Sequence, residues 1–499
     1  MRKYIILKVV IFKLIPVILL AYGENWIYRY NGPGNGSDAA NSLIYGLDSN
    51  IYIAGYSYDG NTYNDFTIIS IADTGYANWA YRYNYQGHGS DAANSIVYGA
   101  DGNIYAAGYS EDSITGYDFT VISLADTGSV NWIYRYSWQR YGSDVANSIV
   151  YGADGNIYAA GYSEDSITGY DFIVISLANM GDTNWVYRYN GPGNGSDAAN
   201  SLVYGLDGNI YAAGYSKDST TNNALTVISL SAAGNTNWIY NHHPNQLFDY
   251  TANSIVFGAD SNIYVAGAEG SDMGFIVISL NAFGDSSWAY AGNNGCANGI
   301  VYGTDGNIYA AGRYNLNFTI KSFGIGGYTN WTYYYNNPGY NDYATSIAYG
   351  IDGNIYAAGF ADIGSTGPDI AAISLTSSGD TNWTYLYCAP FDDGANSIVY
   401  GADSNVYVAG FSANSSAQGD IIVISLPSEP NNTIEDQKII DLNSHLCSSI
   451  FFGPLRLPKG KKCKVFDITG RIVMPGQLKP GVYFIQIDNK IVQKVIKVR

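Results

Sequence analysis

The sequence is short of histidine, cysteine and positive charge. It has four His and four Cys among 499 residues, and no C-x-x-C pair, so the usual ligand spacing of a zinc site is missing. His242 and His243 are adjacent, and neighbouring loop residues seldom ligate one metal. No Ser/His/Asp or Cys/His set can be assembled for nucleophilic catalysis. Residues 24–426 hold 36 acidic and 8 basic residues, a net of −28. Such a body repels nucleic acid and anionic membranes. Its six Arg are too few for the arginine cluster with which a sialidase grips a carboxylate. The Asp-Gly-Asn turns lack the D-x-D-x-D spacing of a calcium loop. The sequence therefore calls for no catalytic residue, no metal and no cofactor.

Long hydrophobic runs are missing too. The apolar run Leu14–Ala21 has eight residues, against the roughly 20 that a membrane helix needs. Arg2 and Lys3 precede it, and Ala21-Tyr22-Gly23 follows as a small-x-small cleavage site. Residues 1–23 therefore read as a secretory signal. An exported chain can form disulfides. A Cys447–Cys463 bridge stays open, whereas Cys296 and Cys388 stand in repeats that are not neighbours.

What the chain has in abundance is Tyr, Gly and repetition. There are 49 Tyr and 58 Gly, a composition that suits short strands and tight turns. Trp26, Trp79, Trp132, Trp185, Trp238, Trp288, Trp331 and Trp383 mark eight units, spaced by 53, 53, 53, 53, 50, 43 and 52 residues. Ala93–Phe119 recurs without a change at Ala146–Phe172. Each unit predicts four strands, for example Asn94–Gly99, Ile104–Ser110, Asp118–Ala125 and Asn131–Tyr136, joined by turns such as Asp101-Gly102-Asn103. Eight such units over residues 24–426 predict an all-β, eight-bladed β-propeller; a solenoid of stacked β-coils is the other reading. The body opens on a fourth strand, Asn25–Tyr30, and closes on the first three strands of a unit, Asn396–Leu426. Pairing the two would close the ring through the N-terminal strand and bury Trp26 like the other seven tryptophans.

Trp185 to Ser216 carries W-x-x-R-Y-N-G-P-G-N-G, then D-x-A-N-S, then D-G-N-I-Y-A-A-G-Y-S, and 26–57 repeats it with Ser49 for Gly and Ile53 for Ala. This string resembles the SBBP-type repeats of bacterial β-propellers, except that the first strand ends in Tyr-Gly where that family has A-V-D. The resemblance implies an exported propeller. After a linker at 427–437 (PSEPNNTIEDQ), residues 438–499 turn basic; the whole stretch 427–499 holds 12 basic and 6 acidic residues. Lys464–Val473 (KVFDITGRIV), Leu478–Ile487 (LKPGVYFIQI) and the ending Lys494–Arg499 (KVIKVR) resemble the type A sorting domain of the type IX secretion system. That resemblance implies a small C-terminal β-sandwich, a partnership with the type IX machinery, and delivery to the medium or the cell surface.

A ligand site is expected on the face that collects the longer loops, those between second and third strands and those between units. Candidate binding residues there are Asp38, Asp91, Asp144, Asp197, Asp342 and Asp393, each two residues before an A-N or A-T pair, and Trp138, which stands outside the repeat register. Capping of a turn is the other reading of the six Asp. Arg29, Arg82, Arg135 and Arg188 stand between tyrosines, as a sugar-stacking stripe or as an outer face where Arg lies over aromatic rings. Cys296, Arg313, Lys321 and His242 break the pattern, so an asymmetric site would lie near them. The function expected is an extracellular binding or scaffold protein with a glycan or protein ligand. A lectin-like propeller, and then a polysaccharide lyase or glycosidase, are the alternatives.

Overall fold

The computed structural model describes residues 23–429, apart from loop segments at 61–62, 86–88, 219–221, 246, 271–273, 336–340, 363–366 and 414–417. It also describes parts of 448–497. All but the last residue of the expected signal at 1–23, nearly all of the linker at 427–437, Cys447, His88 and His445 lie outside the described residues.

Residues 23–445 and the C-terminal region form separate units. In the first, antiparallel four-stranded sheets follow one another along the chain. Ala39–Tyr45, Asn50–Tyr58, Asn64–Ala72 and Ala77–Tyr83 make one of them. Four more span 198–242, 250–293, 295–335 and 343–387. The groups 92–136 and 142–189 merge into an eight-stranded sheet through a short parallel bridge, Gly142–Gly116 and Ser143–Tyr117. The strand limits expected from sequence stand within two residues at either end. Asp393–Tyr400, Asn405–Ala413 and Gly419–Pro427 take Trp26–Tyr30 as their fourth strand, with Trp26 opposite Ser425 and Tyr30 opposite Ile421. The N-terminal strand thus pairs where the sequence places it.

Why the sheets stack is visible in their third strands. In Gly116–Leu124 every residue from Asp118 onward is buried, so both faces of the strand need apolar cover. The cover is the next sheet: Tyr105, Ala107, Phe119 and Val121 pack against Ile157, Ala159, Ile173 and Ile175. The small Ala-Ala-Gly of each second strand permits the approach. A Cβ on Gly108 would lie 1.9 Å from the Ala92 carbonyl oxygen.

Two polar devices join successive sheets. The first strand of nearly every sheet carries an Asn at a β-bulge, where the pairing register skips one residue. Its carboxamide donates to an Ala carbonyl of the neighbouring first strand: Asn41 to Ala93, Asn94 to Ala146, Asn147 to Ala199, Asn200 to Ala252, Asn253 to Ala297, and Asn298 to Ala344, all at 2.8–2.9 Å. Thr345 replaces Asn and reaches Ala395 at 2.7 Å, and Asn396 reaches Ala40 at 2.8 Å. The second device is the tryptophan. Trp79 donates from Nε1 to the Asp126 carbonyl at 2.8 Å, across to the next sheet's turn between third and fourth strands. Gly128 in that turn has φ 82°, and a Cβ there would sit 2.7 Å from the indole. Trp26 makes the same bond to Asp73 and Trp383 to Ser428. Burial of all eight tryptophans is not observed: Trp383 is buried, and the other seven are half-buried. Each of these seven lies on the outer strand, one ring face against a glycine turn and its edge toward solvent.

The described part of the C-terminal unit is one five-stranded sheet. Ser448–Phe451 pairs parallel with Lys490–Lys497, followed by Gly481–Ile487, Cys463–Asp467 and Ile472–Val473. Among the described residues there is no second sheet facing it, so the expected sandwich is represented by one layer. Val465, Leu478 and Tyr483 are its buried apolar side chains among those described.

Removing residues 24–31 would strip a complete edge of pairing from Gly419–Pro427 and the Trp26 clamp from the first sheet. The shortened chain is expected to melt well below the full chain and to aggregate, as read by scanning calorimetry and size-exclusion chromatography. Equal melting temperatures would show that this strand is ornamental.

Candidate functional site

The six candidate Asp are all buried. Their carboxylates face backbone amides and not an open surface. Asp197 accepts from the amides of Gly191 (2.7 Å) and Lys217 (2.6 Å), tying the inter-unit loop to the end of the second strand. Asp38 does the same for Gly32 and Tyr58. Asp91 accepts from Glu111, Asp144 from Trp138, Asp342 from Asp362 and Asp393 from Ala389. The turn-holding reading fits this placement, and a ring of ligand-facing carboxylates does not. Burial pushes these carboxyls up: Asp91 to about 8, and Asp144, Asp197 and Asp393 to about 6. Asp38 is raised as well.

Trp138 is half exposed, at 51%. Its ring lies 4.0 Å from the Arg188 guanidinium carbon, and Nε1 donates to Asp165 at 2.8 Å. It does have a counterpart in the repeat: Tyr85, six residues after its tryptophan as Trp138 is, covers Arg135 at 3.3 Å. The arginines are paired below, Arg82 with Asp65 and Arg135 with Asp118 at 2.5 Å, and Arg188 with Asp171 at 2.6 Å. Arg29 reaches Asp420 at 3.6 Å. This is the outer-face arrangement, with Arg held between a carboxylate and an aromatic ring.

The pattern-breaking residues form two local clusters. The Lys321 amine, in a side chain that is 4% exposed, stands 5.1–5.8 Å from the ring centres of Phe275, Tyr290, Tyr314 and Tyr334 and donates to Thr332. Burial lowers its pKa. The His pair is joined by Glu269, which sequence spacing did not bring near it: Tyr250 donates to Glu269 at 3.0 Å, and both imidazoles lie edge-on to Tyr250. Yet His243 has Asp218 on one ring nitrogen and the Phe248 carbonyl on the other. With both nitrogens engaged, the ring fastens a loop. No group of three His, Cys, Asp or Glu suited to a metal exists among the described residues, and no disulfide joins Cys296 to Cys388.

The opposite face, made by the tight turns, bears a cavity among the described residues. A cavity of 540 Å³ is lined by four successive turns between first and second strands, through Tyr45, Leu47, Tyr98, Tyr151, Ala153 and Tyr204. Each of these tyrosines ends a first strand and packs its ring against a second-strand tyrosine of another sheet, with Tyr45 stacked on Tyr407 and Tyr151 on Tyr105, both at 5.7 Å. That buried tyrosine is fixed by the turn Asp: Asp101 accepts from Tyr105 at 2.6 Å and from Asn103. In the same turns Asp154, Asp207 and Asp305 are partly desolvated, which works to raise them. Hydrogen bonds from Tyr and Asn outweigh that and hold the carboxyls low. Leu47, Leu206 and Ile351 project from these turns at 85%, 86% and 88% exposure. The ligand face expected from loop length is therefore not the face that bears this cavity. The Tyr-Gly strand end was the sequence signal for it.

No protein-family model matches the chain, and no curated protein matches it. Among solved structures, it is similar to Sqt1 from Chaetomium thermophilum bound to the N-terminus of the ribosomal protein L10, at 9% identity and a TM-score of 0.53, over 81% of this chain and 100% of that one. It is similar also to the C-terminal WD40 domain of Sif2, at 9% identity and a TM-score of 0.53, over 82% of this chain and 99% of that one. At such identity the likeness shows the fold alone. It is a β-propeller.

The raised carboxyls set a pH dependence. A folded pKa above the unfolded value of 3.8 means that the folded state holds its proton longer. Their stabilising effect is complete below that unfolded value. It is lost as pH rises through about 6 for Asp144, Asp197 and Asp393 and about 8 for Asp91. The propeller should melt at a higher temperature near pH 5 than near pH 8, and Asp91→Asn should flatten the upper part of that slope. A melting temperature that rises across the interval would contradict this reading.

Proposed function

We propose that the chain is an eight-bladed β-propeller, closed by its N-terminal strand, that works as an exported binding and scaffold protein. Closure is supported by the pairing of Trp26–Tyr30 with the last sheet and by the Asn396 and Trp26 bonds from that sheet to the first. The observation that carries the binding reading is the contrast between faces. The repeated Asp and Arg of the loop face are engaged within the fold. The turn face has a tyrosine-lined cavity with the exposed Leu47 in its wall, and it leaves Leu206 and Ile351 exposed in other turns. Large apolar side chains left in water around a concavity mark a contact surface. Sqt1 holds a peptide segment of a second protein, and a protein partner is the reading proposed here. The tyrosine lining favours a carbohydrate as the second reading, because sugars stack on such rings.

Export rests on the N-terminal signal pattern, and delivery on the basic C-terminal region whose three blocks resemble a type IX sorting domain. In a host that carries the type IX machinery, the full chain should reach the medium or the cell surface. A chain lacking 438–499 should remain folded inside the outer membrane. Finding the truncated chain outside at the level of the full chain would remove the sorting role and leave the binding reading untouched.

A further inference from the structure

The two turn types of each sheet lie at the same end of its strands, as Asn78 donating to Asn50 at 2.9 Å illustrates. The turns between first and second strands carry Asp48, Asp101, Asp154, Asp207, Asp260, Asp305, Asp352 and Asp403. The turns between third and fourth strands add Asp73, Asp126, Asp182, Asp285 and Asp380. None of these turns contains a Lys or Arg; all 8 basic residues of 24–426 stand in strands or in the loops of the other face. The turn face is thus apolar at its cavity and anionic all around it.

From this charge and shape we infer that the turn face is the docking surface for a cationic segment of another protein, one that alternates Lys or Arg with large apolar side chains. The inference rests on the binding reading above and names its partner. The cavity falls in the range of roughly 300–1,000 Å³ typical of ligand sites, so it admits an apolar anchor between Tyr98 and Tyr151. Leu47 lines the same cavity, and Leu206 stands exposed two residues beyond the lining Tyr204. Basic residues on either side of it meet the aspartates of the turns. The aspartates of the inner turns are each spent on their own Tyr and Asn, so they supply field and not direct ligands. Asp73, Asp126 and Asp182 are exposed and can pair with a partner directly. Anionic ligands, nucleic acid and acidic membranes are turned away by the same field. The field also relieves its own repulsion when a cationic partner covers it, and at physiological salt it acts over about 8 Å.

The test uses the mature full chain and a fluorescein-labelled synthetic peptide that alternates Lys with Leu and Tyr. Controls are polylysine and the peptide with Glu in place of Lys, and binding is read by anisotropy. The alternating peptide should bind most tightly, with affinity falling as salt is added. Replacing Leu47, Leu206 and Ile351 by Ser, or Asp73, Asp126 and Asp182 by Lys, should each weaken binding about tenfold or more. Trp138→Ala on the opposite face should change nothing. Near-ultraviolet circular dichroism and melting curves would confirm that the variants fold. Binding that survives both sets of turn substitutions, or that is lost with Trp138→Ala, overturns the inference while leaving a binding propeller in place. Capture of a neutral glycan on an array, abolished by the turn substitutions, overturns the peptide partner in favour of a sugar. If the folded chain holds no peptide, glycan or protein, the binding reading falls with it.

Discussion

Every sheet of this propeller has third-strand residues buried on both faces, so no sheet can stand without a neighbour on each side. That constraint governs the rest. Apolar packing supplies the bulk of the attraction but does not fix distance or angle between sheets. The fixing falls to a few directional bonds: an Asn carboxamide bulged out of one inner strand onto the carbonyl of the next, and an indole at the outer strand clamped over a glycine turn. One acts near the inner edge and the other near the outer edge, so together they hold the angle at which successive sheets meet. Each such bond is worth only about 1 kcal/mol net. Their value is that nearly the same geometry recurs from junction to junction, including Asn396 to Ala40 and Trp26 to Asp73, where the end of the chain meets its beginning.

Much of this was legible in the residues. Asp-Gly-Asn demands a tight turn, alternating large apolar residues demand a strand, and an orphan fourth strand at one end demands a three-strand partner at the other. Such inferences concern local backbone, where periodicity and turn chemistry decide. What was not legible depends on which neighbour a side chain meets. The tryptophan spacing announced the repeat but not that the indole leans across to another sheet's turn, half in water. The Asn of A-N-S looked like part of a strand start; its recurrence at one position was the available sign that a specific bond was being conserved from unit to unit. Trp138 looked exceptional because its counterpart, Tyr85, is a different aromatic, and the common element is the arginine below each.

The cavity and the longer loops lie on opposite faces. Long loops suggested that the ligand would meet the opposite face, because long loops vary and can be shaped. Here the loop-face carboxylates and arginines are consumed in fastening those loops, with Asp197 gripping two amides and Arg188 lying between Asp171 and Trp138. A loop that must be fastened has fewer side chains left to offer. The tight turns need no such fastening, since the Asp-to-Tyr and Asp-to-Asn bonds close within each turn. The residue just before each Asp is then unconstrained and points outward, and at three turns it is Leu or Ile.

That freedom makes the composition of the turn face informative. A solvent-facing turn position with no packing duty tolerates any polar residue, so Leu47, Leu206 and Ile351 incur a solubility cost that the fold does not require. The same argument applies to charge. Thirteen aspartates and no lysine or arginine across the fifteen turns of one face set up mutual repulsion, and interspersed lysines would remove it without disturbing a single turn bond. The inner aspartates are accounted for by their tyrosines; the outer ones, such as Asp73 and Asp126, are exposed and have no comparable structural duty. Residues that cost the free protein something, gathered on the face where the cavity lies, are most economically explained by what covers them in the bound state.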